Sequence, residues 1–106
     1  MDAVRCELIR WVSDEPQPGV VEVRLVDASG EEWAFIDKIA IFTADNVSST
    51  TTLPVPAAIR CELLATRQDD LGREVVDVQL KDRVETADGV SRFTVQRADL
   101  VGPAHA

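Results

Sequence analysis

Histidine, cysteine and aromatic residues are all scarce in this chain, and each scarcity removes a class of function. The one histidine, His105, lies one residue from the C-terminus in a Gly-Pro-Ala-His-Ala run. Nucleophilic catalysis needs a nucleophile and a base within hydrogen-bond reach, so a Ser-His or Cys-His pair is nearly excluded. Two cysteines, Cys6 and Cys61, with one terminal histidine cannot complete a four-ligand zinc site. No Gly-rich phosphate loop and no Rossmann or Walker pattern occurs. Two tryptophans and three phenylalanines on an acidic chain are too few for a stacking platform on single-stranded nucleic acid. No apolar run approaches the ~20 residues of a membrane span. Asp2, Arg5 and Glu7 stand where a signal peptide would be apolar. A non-enzymatic, cytoplasmic chain is therefore expected, with reduced thiols, no cofactor and no membrane or nucleic-acid partner.

What is present is acid, apolar content and a repeat. The chain has 106 residues, the size of one domain, and its 45% apolar fraction suffices for a core. Nineteen acids against eleven bases give a net charge of −8, a field that repels phosphate backbones and anionic lipid. A basic protein partner, a cation or simple solubility all suit that charge. Arginine outnumbers lysine, which occurs only at Lys38 and Lys81, and Ala, Val and Asp are abundant. That composition resembles a GC-rich bacterial genome.

A shift of 55 residues lays Ala3-Val4-Arg5-Cys6-Glu7-Leu8 on Ala58-Ile59-Arg60-Cys61-Glu62-Leu63. Without a gap, Val20 to Leu25 then falls on Val75 to Leu80, and 11 of the 25 positions from 3 to 27 are identical. With a short insertion, Trp33-Ala34-Phe35 falls on Phe93-Thr94-Val95. Self-similarity of this kind constrains a fold strongly. Each copy reads as three strands. Val4, Cys6 and Leu8 alternate with Arg5 and Glu7, and Val76, Val78 and Leu80 alternate with Asp77, Gln79 and Lys81. Turn residues cluster at Asp14 to Gly19, Ser29-Gly30, Asp69 to Gly72 and Asp88-Gly89. Residues 57–66 would also suit a helix with Pro56 at its start, but the copy containing Val4, Trp11 and Val12 favours a strand.

A copy of about 50 residues is too small for a comfortable core and leaves open strand edges. The expected fold is therefore all-β: one domain over 1–106, a small pseudo-twofold β-barrel of six or seven strands. Two duplicated three-stranded meanders, 3–37 and 58–97, would form it. Residues 39–43 read as an extra strand, 44–56 as a polar connector and 101–106 as a C-terminal tail. A twofold between Cys6 and Cys61 would pair strands 3–12 and 58–67, setting Arg5 against Glu62 and Glu7 against Arg60. Both thiols should be buried among Val4, Leu8, Ile59 and Leu63, as small hydrophobes rather than a redox pair.

Three features point beyond plain structure. Asp14-Glu15 and Asp69-Asp70 occupy equivalent turns, but the twelve-residue calcium-loop pattern is missing, so no metal is expected. Asp37-Lys38 interrupts an apolar run and reads as a strand corner or as a pocket with shifted pKa values. Alternation from Arg5 and Glu7 carries Ile9 and Trp11 to the outer face, and Leu64 follows from Glu62. These three would form an exposed apolar patch rimmed by Asp14, Glu15, Asp69 and Asp70. The expected function is a protein-interaction module, in its sharper form an acidic inhibitor or immunity-type protein that masks a basic partner. A homodimeric accessory protein is another form of the same reading. The alternative is a β-barrel that binds a small molecule.

Overall fold

Alternation of β-branched and charged residues becomes strand throughout. The structure is a computed structural model and describes residues 2–101. In chain order the elements are β1 (Ala3–Ser13), β2 (Val20–Val26), β3 (Glu32–Lys38), a 3₁₀ turn (Ile39–Ile41), β4 (Val55–Gln68), β5 (Glu74–Leu80), β6 (Arg92–Gln96), a second 3₁₀ turn (Arg97–Asp99) and β7 (Leu100–Val101). The segment that could also have been helical, 57–66, is strand within β4. His105 and most of the expected tail lie outside the described residues.

The strands form one antiparallel sheet in the order β3-β2-β1-β4-β5-β6, with β7 added beside the start of β1. The sheet curls into a half-barrel. Its end strands meet through side chains: the Trp33 and Phe93 rings lie 5.2 Å apart, and Phe35 and Phe93 5.7 Å, both edge to face. Such pairs contribute about 0.5–1.5 kcal/mol beyond their buried area. The backbone N–H of Ala28, after β2, also donates to the Thr94 carbonyl in β6 at 2.8 Å. The core lies on the concave side. Val4, Cys6, Leu8, Val21, Val23 and Leu25 fill it from one half; Ile59, Cys61, Val76, Val78, Leu80 and Val95 fill it from the other.

Two expectations need correction. β1 and β4 do pair antiparallel, but Ala3 faces Arg60 and Val4 faces Ile59, so Arg5 meets Ala58 and Glu7 meets Pro56. The register is displaced by four residues from the one that would join Arg5 to Glu62. An even slip leaves every inward side chain inward, so the hydrophobic pattern cannot choose between the two. The charges find partners elsewhere: Glu7 pairs with Arg24 at 2.7 Å, and Arg60 forks onto Asp82. Residues 39–43 do not continue as a strand. Ile39 and Phe42, three apart, are both buried, and the Phe42 N–H closes a 3₁₀ turn onto the Ile39 carbonyl at 2.9 Å. A short apolar run has no period that separates the two outcomes.

The end of each hairpin set reaches the other half. The Ala58 N–H donates to the Phe42 carbonyl at 3.1 Å, and β7 pairs with Ala3 and Val4. Asp37 and Lys38 end β3, where the Asp37 carboxylate accepts from the Lys38 N–H at 2.8 Å, so the Asp37-Lys38 pair marks a strand corner.

Candidate interaction edge

β1 and β4 pair only where Ala3–Leu8 runs beside Val55–Arg60. Each strand then continues past its neighbour. Residues 62–68 of β4 are bonded to β5 on one side, and among the described residues nothing pairs with their other side. All seven of these residues are exposed. An antiparallel sheet normally buries one face, so a run exposed on both faces of a strand is unusual.

A bulge explains part of it. The β4–β5 register skips at Leu64, which leaves Leu63 opposite Val78 and sets Ala65 opposite Asp77. Leu63 and Thr66 therefore point to the concave side, and Glu62, Ala65 and Arg67 to the convex side, with Leu64 as the extra residue. β1 skips at Ile9 in the same way: Leu8 faces Val23, Arg10 faces Glu22 and Trp11 faces Val21. Ile9 and Leu64 are equivalent positions of the repeat.

The bulge at Ile9 reverses the face assigned to Trp11 by simple alternation. Trp11 is half-buried against the core. Its indole N–H donates to Asp14 at 2.9 Å. A Cβ on Gly19 would stand 2.5 Å from the Trp11 ring, so only glycine admits the ring there. Ile9 is half-buried and Leu64 is 45% exposed. The register places Ile9 and Trp11 beyond one end of the β1–β4 pairing and Leu64 beyond the other. Ten or more residues of strand, at about 3.3 Å each roughly 33 Å or more along the sheet, separate them. Ile9, Trp11 and Leu64 thus do not make one patch.

Two of the acids expected as a rim, Asp14 and Asp69, have local duties. Asp14 holds Trp11, and the Glu15 backbone carbonyl accepts from the Ser13 hydroxyl at 2.9 Å. The Asp69 carboxylate accepts from the backbone N–H groups of Leu71 and Arg73, both at 2.9 Å, and pairs with the Arg73 guanidinium at 2.7 Å. Burial pushes the Asp69 carboxyl up, and the Arg73 and Leu71 bonds outweigh it, leaving it below the usual range. Asp27 is held low in the same way: hydrogen bonds from Ser29, Trp33 and the Glu31 backbone overcome its desolvation. Asp70 is exposed. Among the described residues no group of three or more His, Cys, Asp or Glu side chains is placed to hold a metal ion.

On the convex side Arg67 forks onto Asp77 at 3.2 and 3.3 Å, and the Thr94 hydroxyl donates to Asp77 at 2.5 Å. Those two bonds, Thr94 first, hold the Asp77 carboxyl low. A surface cleft of about 260 Å³ runs past Asp27, Ser29, Arg67, Asp69, Arg73 and Thr94. Both guanidiniums in it are already engaged by carboxylates. Cys6 and Cys61 are free and buried. Burial and then Glu7 push the Cys6 thiol up to about 12. Burial and then Asp2 push Cys61 up to about 11, opposed by Lys81. Thiols so protonated are poor nucleophiles. Leu63, expected beside them, is 39% exposed instead, whereas its repeat equivalent Leu8 is fully buried.

Reading single strands by strict alternation missed Leu63, Glu62 and Arg67 as edge residues. A signal was present: Thr66 stands where the first copy has Trp11, so the second copy lacks the large side chain that closes the equivalent end.

No protein-family model matches the chain, and no curated protein and no solved structure is significantly similar to it. Among the described residues no helix is long and apolar enough to cross a membrane.

Proposed function

We propose that this protein is a non-catalytic protein-interaction module that engages its partner along the open edge of β4. The observation that carries the reading is the run 62–68, exposed on both faces and, among the described residues, unpaired on one side, with Leu63 and Leu64 within it. Proteins normally blunt or cover such an edge, because its free N–H and C=O groups template another strand. Strand addition is an established mode of recognition, in which main-chain bonds give affinity and alternate side chains give specificity. Asp69 and Asp70, at the end of this edge, and the overall charge favour partners with basic flanks, as expected of an acidic inhibitor or immunity-type protein in a bacterial cytoplasm.

The scaffold fits a duplicated, pseudo-twofold barrel. Its support is the strand order, which reads alike from both ends when β4–β6 are equated with β1–β3. Bulges at equivalent Ile9 and Leu64, and Val4 facing its own equivalent Ile59, agree with it.

The test is affinity capture with two baits, the native chain and Leu63→Lys/Leu64→Lys. Both changes fall on exposed side chains, so the fold should persist, as circular dichroism would check. A protein retained by the native bait and lost by the variant supports the reading. Identical sets retained by both would overturn it.

A further inference from the structure

We propose that the strand received by the β4 edge is residues 62–68 of a second copy of this chain, paired antiparallel about a twofold axis at Ala65. This rests on the reading of that edge as an interaction site. The first argument is charge. The run Glu62-Leu63-Leu64-Ala65-Thr66-Arg67-Gln68 has one acid and one base, so it is neutral in a chain of net charge −8. Two copies meet little mutual repulsion there.

The second argument is self-complementarity. Because Leu64 is a bulge, Glu62, Ala65 and Arg67 all point to the convex face, and Leu63 and Thr66 to the concave face. Centring an antiparallel pair on Ala65 sets Glu62 of each copy opposite Arg67 of the other. It sets Leu63 opposite Thr66, and Ala65 opposite itself, the small residue at the point of closest approach. The pairing is isologous and closes as a dimer. Arg67, now forked onto Asp77, has donors enough to serve both carboxylates.

The third is precedent within the chain. β1 and β4 carry the same Arg-Cys-Glu-Leu run and already pair antiparallel. The proposed contact repeats that kind of pairing one step further along β4, and joins two half-barrels into one continuous sheet.

The experiment is sedimentation velocity on the full chain over a wide concentration range, with backbone hydrogen exchange. The native chain should sediment at twice its monomer mass at high concentration, with the amides of 62–68 protected in the dimer and fast in the monomer. Glu62→Arg should raise the dissociation constant about tenfold or more, since two opposite-charge cross-strand pairs become like-charge pairs. Glu62→Arg/Arg67→Glu should restore it. Glu62→Arg mixed with Arg67→Glu should form the mixed dimer in preference to either alone. Should Arg67→Glu fail to fold beside Asp77, the single Glu62→Arg variant and the exchange data still decide. A native chain that stays monomeric at hundreds of micromolar overturns the second copy as occupant. A dimer in which 62–68 exchange as fast as in the monomer does so too. The two-bait capture above then reports separately whether the edge serves a foreign partner.

Discussion

The outer ends of β1 and β4 occupy equivalent stretches of the sequence repeat yet are built to opposite effect. Past the central pairing, both strands bulge at the equivalent residue, Ile9 or Leu64. In β1 the next inward position holds Trp11, seated over Gly19 and tied to Asp14, while the connector packs Val47, Leu53 and Val55 against the core. Leu8, on the same inward face, is fully buried. In β4 the corresponding inward position holds Thr66, and Leu63 stays 39% exposed. One backbone plan thus yields a closed end and an open one, and the difference lies in a few large side chains and where the connector runs.

The sharpest way to break this comparison is to truncate both leucines. Leu8→Ala should cost about 2–5 kcal/mol, the range for a fully buried leucine. Leu63→Ala should cost the monomer less, about 1–2 kcal/mol, because over a third of its surface is already in water. Denaturant unfolding of dilute protein measures both, and equal losses would mean that Leu63 is as enclosed as its equivalent.

Gly19→Ala probes the closed end. Gly19 has φ +143, and its new Cβ would meet the Trp11 ring at 2.5 Å. A loss of about 1–3 kcal/mol is expected, accompanied by a change in tryptophan fluorescence. A silent substitution would show that Trp11 is free to move and does not seal the end.

The thiols compare the two halves through pH. Both are raised above their unfolded value, so folding favours the protonated form. Their contribution is complete below about pH 9 and is lost as pH rises towards about 11 for Cys61 and about 12 for Cys6. Stability should therefore decline through that window by up to about 1.4 kcal/mol per pH unit for each thiol. Cys6→Ala and Cys61→Ala should each flatten it, and native thiols should label slowly at neutral pH. Rapid labelling of either would contradict the burial.

The smallest effect is at the Asp69 turn. Its carboxyl is held low, so its stabilisation is present above the ordinary carboxylate pKa and lost as pH falls below about 4. Asp69→Asn should lower Tm slightly at neutral pH and make its acid dependence shallower. An unchanged acid profile would mean that the turn is held by its backbone alone.

Much of this was legible in the chain. The alternation in residues 3–8 and 75–80 identified strands and their inward faces, and the 55-residue repeat turned a helix-compatible segment, 57–66, into β4. Cys6 and Cys61 followed from their places on those faces. Ile39-Ala40-Ile41 was not legible, since a short apolar run suits a 3₁₀ turn as well as a strand. Nor was the Trp11 face, because one extra residue at Ile9 reverses all that follows it.

The sequence by itself determined the class of structure, all-β, and which side chains between Val4 and Leu8 and between Val76 and Leu80 enter the core. Local alternation decides those things because a pleated strand has a fixed period of two. Only the tertiary structure decided which rows of β1 and β4 face each other, where the bulges fall, and that Leu8 is covered while Leu63 is not. An even slip conserves the buried face, so alternation leaves the register open, and Glu7 and Arg60 are paired with Arg24 and Asp82 rather than with each other across the β1–β4 ladder. Cover, likewise, is a property of what the rest of the chain brings against a side chain.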